Sequence, residues 1–396
     1  MFFSSHLNPK PTKSYDTVII GAGVIGTSVA WHLAHYGCRN VLVLDRADQP
    51  GTGSTSKATG GFRCQFSTEI NVRLSLLSRE KLLRFRSEVG HDPGYQPCGY
   101  LFVATDPVQL NILREALKVQ HDAGVWVAQE VSVEEIRKLN PALYTEDLVG
   151  GTFCEWDGFT RPMEILNGYY SASQQLGVEY RFSVERVQVW REGDAVVGVM
   201  VDGEFIPTGA VVNAGGAWAA PIAREVGVEL PVYPLKRQVA ITEPFEALPE
   251  TMPMSVDVSD GFHLRVRDGR VLLLYPHGLD EERTYEAEFE EAWLPKVLAR
   301  AHYRVPILRE ASVDRARCWA GLYEMSPDKH VIVGEAPELC GFYLVNGSSG
   351  HGVMHSPALG EMVARLILGM ELPFDITPLR PTRFAEGKPN HDTGVL

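Results

Sequence analysis

The chain has 396 residues, of which 45% are hydrophobic and 22% are charged, and its formal net charge is −13 at pH 7. It is long enough to bury a large core in two or three domains, and its acidic balance argues against nucleic acid or an anionic membrane surface as a partner. Six scattered cysteines show no metal-ligand spacing and no apolar run could span a bilayer, so we expect a cytoplasmic protein with reduced thiols and no bound metal.

The first recognisable unit occupies residues 16–45, after a flexible lead at residues 1–14. An apolar, β-branched run at 17–20 predicts a strand that is buried on both faces. A glycine-rich turn at 21–26 follows, then a helical pattern and a second apolar run that ends at Asp45. This order of strand, glycine turn, helix, strand and acid is typical of a dinucleotide-binding site.

Each part of this unit has a physical task in holding a dinucleotide. Gly21 permits the tight turn from strand to helix, Gly23 lets the backbone approach a pyrophosphate, and Gly26 lets the helix pack against the strand. The backbone N–H groups at the helix start then face the phosphates, with the positive end of the helix dipole behind them. Asp45 can accept hydrogen bonds from a ribose diol, which favours FAD or NAD over NADP.

A polar stretch at residues 54–63 follows this unit closely in the chain. Serine and threonine at a helix start offer hydroxyls and backbone donors to a phosphate, and glycines allow close approach to a flat ring. A solvated loop with a helix cap is the alternative. The position of this polar stretch directly after the first unit favours contact with the same ligand.

The remaining chain alternates between helical and strand patterns. We predict helices at residues 71–88, 106–123, 162–176, 282–303 (acidic and solvated) and 356–368, and two more that begin at the capping box of Ser132 and at Ala219. We predict strands at residues 100–104, 125–128, 178–201 with a turn at 192–194, 210–213, 237–242, 262–266, 331–333 and 342–345, and an irregular segment at 152–161. The β-rich segment 231–310 indicates a second domain that lies over the first and carries substrate contacts.

Four motifs in this sequence resemble those of the D-amino-acid oxidase superfamily of FAD enzymes, nearest to the branch of sarcosine oxidase, glycine oxidase and proline dehydrogenase. They are residues 21–26 with Asp45, residues 53–63, residues 211–218, and residues 321–328 followed by 350–352. The second motif also resembles the β subunits of multi-subunit sarcosine- and proline-oxidising enzymes. Together the motifs spread over nearly the whole chain.

The resemblance implies an α/β fold with a Rossmann-like FAD-binding domain of the glutathione-reductase type and a second, β-rich α+β substrate domain. The implied FAD-binding domain comprises residues 15–90, 151–220 and 319–380, and the substrate domain comprises residues 91–150 and 221–318. The lead at 1–14 and a C-terminal tail at 381–396 lie outside both.

The resemblance also implies which residues contact FAD. Asp45 and Arg46 would meet the adenosine, and Val184 would lie on the strand whose backbone touches adenine. A helix N-terminus after Gly350 would stabilise negative charge on the reduced flavin ring, with His351 contributing its backbone rather than acting as a base. The full set of expected cofactor contacts is Gly21, Gly23, Val24, Ile25, Gly26, Asp45, Arg46, Ser54, Thr55, Ser56, Lys57, Thr59, Gly60, Gly61, Val184, Gly215, Gly216, Gly350, His351, Gly352, Val353 and Met354.

Three residues are candidates for substrate contact. Arg63 matches an arginine that holds the substrate carboxylate in amine oxidases of this group, and a planar guanidinium suits bidentate binding; by itself, such an arginine is more often part of a surface ion pair. Tyr323 matches a tyrosine near the substrate, although a core tyrosine is the alternative. His263 and Arg265, on an alternating strand of the second domain, could point at the pocket.

Departures from the family pattern refine these expectations. Gly321 stands where some amine oxidases attach the flavin through a cysteine, which implies non-covalent FAD. Met354 stands where the monomeric enzymes of the family have a lysine that helps bind the substrate carboxylate. Residues 261–278 contain no lysine, whereas the related oxidases have in this region a lysine that promotes reaction with oxygen. Residues 150–162 also lack the histidine that holds a second flavin, FMN, in heterotetrameric sarcosine enzymes.

The sequence thus predicts an FAD-dependent oxidoreductase that oxidises the C–N bond of a small, secondary or N-methylated amino acid such as sarcosine, glycine or proline, by hydride transfer to flavin N5. The electron acceptor is oxygen or another molecule. One alternative is a subunit of a multi-subunit dehydrogenase, and another is a non-catalytic FAD protein that serves as an assembly factor. A homo-oligomer or a larger complex is compatible with either.

Overall fold

The computed structural model describes residues 13–276 and 283–391. The helices of these residues are α1 (Val24–His35), α2 (Ser54–Lys57), α3 (Glu69–Glu88), α4 (Pro107–Asp122), α5 (Val133–Leu139), α6 (Pro162–Gln175), α7 (Ala219–Glu225), α8 (Leu294–Arg304) and α9 (Gly352–Ile367). The strands are β1 (Thr17–Ile20), β2 (Val41–Leu44), β3 (Gly61–Phe62), β4 (Tyr100–Ala104), β5 (Gln129–Val131), β6 (Gly150–Cys154), β7 (Gly158–Phe159), β8 (Glu179–Arg181), β9 (Val187–Glu192), β10 (Ala195–Val201), β11 (Glu204–Pro207), β12 (Val211–Asn213), β13 (Tyr233–Ile241), β14 (Met254–Asp257), β15 (His263–Arg267), β16 (Arg270–Leu274), β17 (Trp319–Met325), β18 (Ile332–Glu335) and β19 (Phe342–Asn346).

The first sheet has six strands in the order β18-β19-β12-β1-β2-β8. Its pairs are parallel except that of β18 with β19. Ile19 and Val43 point to one face, into a core shared with α1, α6 and α9. Val18 and Leu42 point to the other face, into a core shared with β9, β10 and α7. The apolar runs in the sequence therefore mark strands buried on both faces, as parallel strands between two layers must be.

The second sheet has eight strands in the order β17-β13-β16-β15-β14-β4-β6-β5. All of its pairs are antiparallel except that of β14 with β4. Leu101, Leu264 and Leu273 point to the face that packs on α8 through Val297 and Ala301. Because side chains alternate along a strand, the neighbouring residues point to the opposite face, which looks toward the first sheet.

Three sequence-based element predictions are wrong. Residues 125–128 form a turn rather than a strand, because Gly124 (φ +106°) turns the chain after the end of α4 and the Val125 N–H donates back to the Gln120 carbonyl at 2.8 Å. The segment 152–161 is not irregular: it contains the end of β6 and all of β7, which pair with β4 and β3. Pairing with distant strands orders this segment, and local sequence carries no trace of it.

The predicted acidic helix at 282–303 is also shorter and more buried than expected. Residue 282 lies outside the described residues, 283–290 form neither helix nor strand, and α8 begins only at Leu294. Helix α9 begins at Gly352, four residues before the predicted start, with Pro357 inside it. The proline cannot donate to the Val353 carbonyl, which instead accepts from the Ser356 hydroxyl at 2.8 Å.

The architecture is the predicted one, a Rossmann-like domain with a second, β-rich domain. The domain boundaries remain a prediction; β6 and the first part of β17 both join the eight-stranded sheet. At the predicted tail, Arg383 is buried and holds Asp328 through bonds of 2.8 and 2.9 Å. This ion pair lowers the pKa of Asp328 to about 2 despite burial, which acts in the opposite direction. All six cysteines are free thiols, and no helix in the described residues has the length and apolarity to cross a membrane.

Candidate functional site

A cavity of about 840 Å³ lies between the two sheets, at the upper end of the usual range for ligand sites. Ile20 and Leu44, at the carboxyl ends of β1 and β2, line one side, and His263 and Tyr323 of the eight-stranded sheet line the other. Ligands of parallel α/β sheets bind at the carboxyl ends of the strands. The fold thus places this cavity where a dinucleotide is expected.

Two glycines of the turn after β1 are required by backbone packing alone. A Cβ atom on Gly21 (φ +112°) would lie 2.3 Å from the Ala214 carbonyl oxygen, and one on Gly26 would lie 1.9 Å from the Gly21 oxygen. Gly26 does not line the cavity. Its role is the close helix–strand packing that the sequence predicts.

Gly23 is different, because the protein itself leaves room for a side chain there. The nearest atom to a Cβ on Gly23 is the Thr55 hydroxyl at 3.5 Å, an ordinary contact, and Gly23 lines the cavity. Helix α1 starts beside it without a cap from its N-cap residue and without an acid in its first turn, although the Val24 N–H donates to the Thr55 hydroxyl at 3.1 Å. A helix N-terminus that faces open space is suited to bind phosphate, so this part of the cavity fits a pyrophosphate.

The end of the cavity near Asp45 has groups suited to a nucleoside. The Asp45 carboxylate accepts hydrogen bonds from the backbone N–H groups of Ala22 at 2.6 Å and Ala47 at 2.9 Å. The Arg46 guanidinium lies 3.7 Å from the ring centroid of Trp218, a flat surface that also lines the cavity. Val184 lines the cavity from the loop between β8 and β9, rather than from a strand as predicted.

The opposite end is formed by the turn before α9. This 16-residue helix also starts without a side-chain cap or an acid in its first turn, and its N-cap is His351. Gly350 has a φ of +95°, and a Cβ there would lie 2.6 Å from the Tyr323 ring. Two long helices therefore direct positive dipole ends at one cavity, as the two electron-rich parts of FAD require.

Arg63 lines the cavity from the segment after β3. Its guanidinium lies 3.9 Å from the Phe66 ring centroid and donates to the Gln65 carbonyl oxygen. The segment is fixed by buried Asp157, which accepts from the Cys64 N–H at 2.5 Å and from the Gln65 side chain at 3.0 Å. Asp157 lies in the segment that the sequence reads as irregular, so this support was missed.

His351 contacts Arg63 through its side chain. The Arg63 Nη2 group lies 3.1 Å from His351 Nε2, and because a guanidinium only donates, Nε2 must be the unprotonated acceptor. Burial and then the charge of Arg63 hold the pKa of His351 well below its ordinary value. The expected backbone role is therefore joined by a side-chain contact with the carboxylate-binding candidate.

The cavity-facing side of the eight-stranded sheet carries a small polar set among apolar residues. The polar members include Arg237, His263, Tyr323 and Glu324, whereas Val239 and Leu274 are apolar neighbours on β13 and β16. His263 Nδ1 lies 2.8 Å from the Gly261 carbonyl, so it carries the proton and Nε2 is left as an acceptor. Burial lowers the pKa of His263, and burial raises that of Tyr323.

Of the predicted site residues, all but Gly26 and Ser56 line this cavity. Ser56 instead donates to backbone carbonyls of its own turn, at Thr52 and Gly53. Arg265 packs on Phe159, 3.8 Å from the ring centroid, and does not line the cavity. Residues that sequence reasoning missed are Trp218, Arg237, Leu274 and Glu324, which reach the cavity through strand pairing or helix position.

Comparison with known proteins agrees with this geometry. The family described as DAO, FAD dependent oxidoreductase, matches residues 16–366. The chain is 30% identical to FAD-dependent oxidoreductase domain-containing protein 1 of Bos taurus, over all of this chain and 89% of that protein. It is 28% identical to 4-methylaminobutanoate oxidase (formaldehyde-forming) of Paenarthrobacter nicotinovorans, over 99% of this chain but only about half (48%) of that longer protein.

Among solved structures, L-proline dehydrogenase from P. horikoshii superposes with a TM-score of 0.89 at 28% identity, over 96% of this chain and 100% of that one. Members of the matched family depend on FAD. The room beside Gly23, the N-termini of α1 and α9 and the carboxylate of Asp45 fit that cofactor. The chain belongs to the DAO family of FAD-dependent oxidoreductases.

Proposed function

We propose that this protein oxidises the C–N bond of a small amino acid whose amine is secondary or N-methylated. The observation that supports this most is the position of Arg63, a guanidinium that lines the same cavity as the uncapped end of α9. When bound, FAD supplies the acceptor for the hydride that leaves the carbon next to the amine nitrogen. The names of two relatives, a methylaminobutanoate oxidase and a proline dehydrogenase, support a secondary amine.

In this proposal the chain supplies binding, orientation and exclusion of water. Arg63 binds the substrate carboxylate as a planar fork. His263 stays neutral, because burial lowers its pKa, and its Nε2 can accept a hydrogen bond from the amine. Val239 and Leu274 line the cavity and would exclude water beside the reacting carbon. The amine binds in its neutral form, so hydride transfer requires no side-chain base, and positioning provides most of the rate enhancement.

The test is an anaerobic screen of flavin reduction with N-methylated, cyclic and primary amino acids. We expect loss of the visible flavin absorbance with at least one secondary amino acid, and little change with primary ones. A flavin that none of these compounds reduces would contradict the proposal and favour the assembly-factor alternative.

For the electron acceptor, Leu274 supports a dehydrogenase rather than an oxidase. It is the residue of β16 that lines the cavity, and the family resemblance places the lysine that promotes reaction with oxygen on this strand. We expect the reduced protein to react with a dye much faster than with oxygen. Leu274→Lys should raise the oxygen rate about tenfold or more, by stabilising developing negative charge. Fast peroxide formation by the unmodified protein would contradict this prediction.

His351 is expected to act as a positioning residue for Arg63. His351→Phe keeps the aromatic contact with Phe66 but removes the acceptor 3.1 Å from Arg63. We expect KM for the amino acid to rise about tenfold, since a hydrogen bond to a charged group contributes about 1.5–3 kcal/mol, while kcat changes less. Because the pKa of His351 lies well below its ordinary value, wild-type KM should not rise between pH 8 and pH 6. A KM that rises as His351 is protonated in that interval would show that the imidazole is not the neutral acceptor.

A further inference from the structure

A second guanidinium faces the substrate end of the cavity. Arg237 lies on β13, directly opposite Gly321 of β17 in the sheet register. It lines the cavity, and its guanidinium lies 5.8 Å from the Tyr323 ring centroid. The sequence gives no hint of this, because only the pairing of β13 with β17 places Arg237 beside Tyr323.

Arg237 has no carboxylate partner among residues 13–276 and 283–391. Its one hydrogen bond there is from Nη1 to the Lys236 carbonyl oxygen at 3.1 Å, which leaves most of its five N–H donors for a ligand. By contrast, Arg270 of the same sheet pairs with Asp314 at 3.0 Å, and Lys236 pairs with Glu290. Glu324 of the same sheet also lines the cavity, but it forms no ion pair with Arg237 in the described residues. A cation that is partly removed from water is costly without a compensating anion.

Arg237 and Arg63 flank the same space. Apart from burial, the charges of both guanidiniums act on His263 and on Tyr323, in each case favouring the less protonated form. The two arginines are therefore near one pair of side chains but belong to different parts of the fold, the segment after β3 and the strand β13. A ligand with two negative groups could therefore present one to each arginine.

We propose that Arg237 binds a second carboxylate, so that the preferred substrates are N-alkylated dicarboxylic amino acids. Arg63 binds the α-carboxylate, Arg237 binds the side-chain carboxylate, and the amine lies between them near His263. This inference rests on the proposed function, because it assigns the substrate class of the same site. The planar forks of two arginines give both charge and orientation to such a substrate.

The experiment compares N-methylglutamate with its isostere N-methylglutamine, whose side chain is uncharged, in anaerobic stopped-flow reduction of the FAD-loaded protein. We expect the efficiency of reduction to favour N-methylglutamate by about tenfold or more. In Arg237→Gln this preference should fall to near one, and in Arg237→Glu it should reverse in favour of the uncharged substrate. Arg267→Gln is the matched control, since Arg267 lies in the same sheet, on β15, but outside the cavity lining, with its guanidinium 5.7 Å from the Trp319 ring centroid. The preference of this variant should match that of the wild type.

Each outcome decides the matter. Equal reduction by both compounds in the wild type would overturn the second-carboxylate assignment while leaving the proposed function intact. A preference that survives in Arg237→Gln would also overturn it, because Arg237 would then play no part in the preference. An equal loss of efficiency with both substrates would show that Arg237 binds the carboxylate that the two compounds share. A loss of FAD from that variant would show that Arg237 binds the cofactor. Failure of every amino acid to reduce the wild type would overturn the proposed function itself.

Discussion

Arg63→Ala is expected to raise KM for the amino-acid substrate by about 30-fold to 3000-fold while FAD stays bound. Truncating one partner of a desolvated, hydrogen-bonded charge pair costs about 2–5 kcal/mol, and each 1.4 kcal/mol is about tenfold in affinity. FAD should stay because backbone N–H groups of the turn after β1 and of the N-terminus of α9 hold it, whereas Arg63 meets α9 through the His351 ring. The measurement is steady-state kinetics together with the flavin content of the purified variant.

Arg63→Lys is the informative companion. It keeps the positive charge but loses the planar fork, so we expect an intermediate KM. A KM in Arg63→Ala equal to that of the wild type would reject the role of Arg63 as carboxylate anchor. Loss of FAD from both variants would place the guanidinium on the cofactor instead.

The second large effect concerns two glycines of one turn. Gly23→Ala is expected to lower FAD affinity about 5-fold to 140-fold, because an added methyl group in a packed site costs about 1–3 kcal/mol. The folded apoprotein should tolerate the change, since a Cβ there lies 3.5 Å from the nearest protein atom. Fluorescence titration with FAD measures the affinity, and thermal melting of the apoprotein measures the stability.

Gly26→Ala is the matched variant, in which the added methyl group meets the protein backbone rather than the cofactor. Its Cβ would lie 1.9 Å from the Gly21 carbonyl oxygen, so the apoprotein itself should be destabilised by about 1–3 kcal/mol or more. A Gly23→Ala protein that binds FAD as the wild type does would show that no phosphate approaches this backbone. A Gly26→Ala apoprotein with unchanged melting would refute the close packing of α1 on β1.

Sequence reasoning succeeds where one local pattern determines the structure. The glycine turn at 21–26 works because backbone clearance, helix start and strand end all fall within six residues, and the strand Thr17–Ile20 is recognisable by its buried apolar run. The family resemblance added Arg63 and the turn before α9, which no periodicity shows. These features account for the FAD-binding end of the cavity.

Sequence reasoning fails where the pairing of strands that are distant in the chain determines which residues line the cavity. Arg237 reaches the cavity because β13 pairs with β17, and Asp157 supports the Arg63 segment because β7 pairs with β3. Strand register of this kind depends on residues about a hundred positions apart, so the face to which His263 or Arg237 points cannot be read from alternation alone. The substrate end of the site was accordingly the less complete part of the prediction.

The most direct test of the central claim is a crystal structure of the FAD-loaded protein with a non-reactive N-methyl amino-acid analogue. We predict the pyrophosphate beside Gly23, the flavin ring between the N-terminus of α9 and the eight-stranded sheet, and the analogue's carboxylate on Arg63. A carboxylate bound away from Arg63, or a flavin that fills the space before His263 and Arg237, would contradict the account.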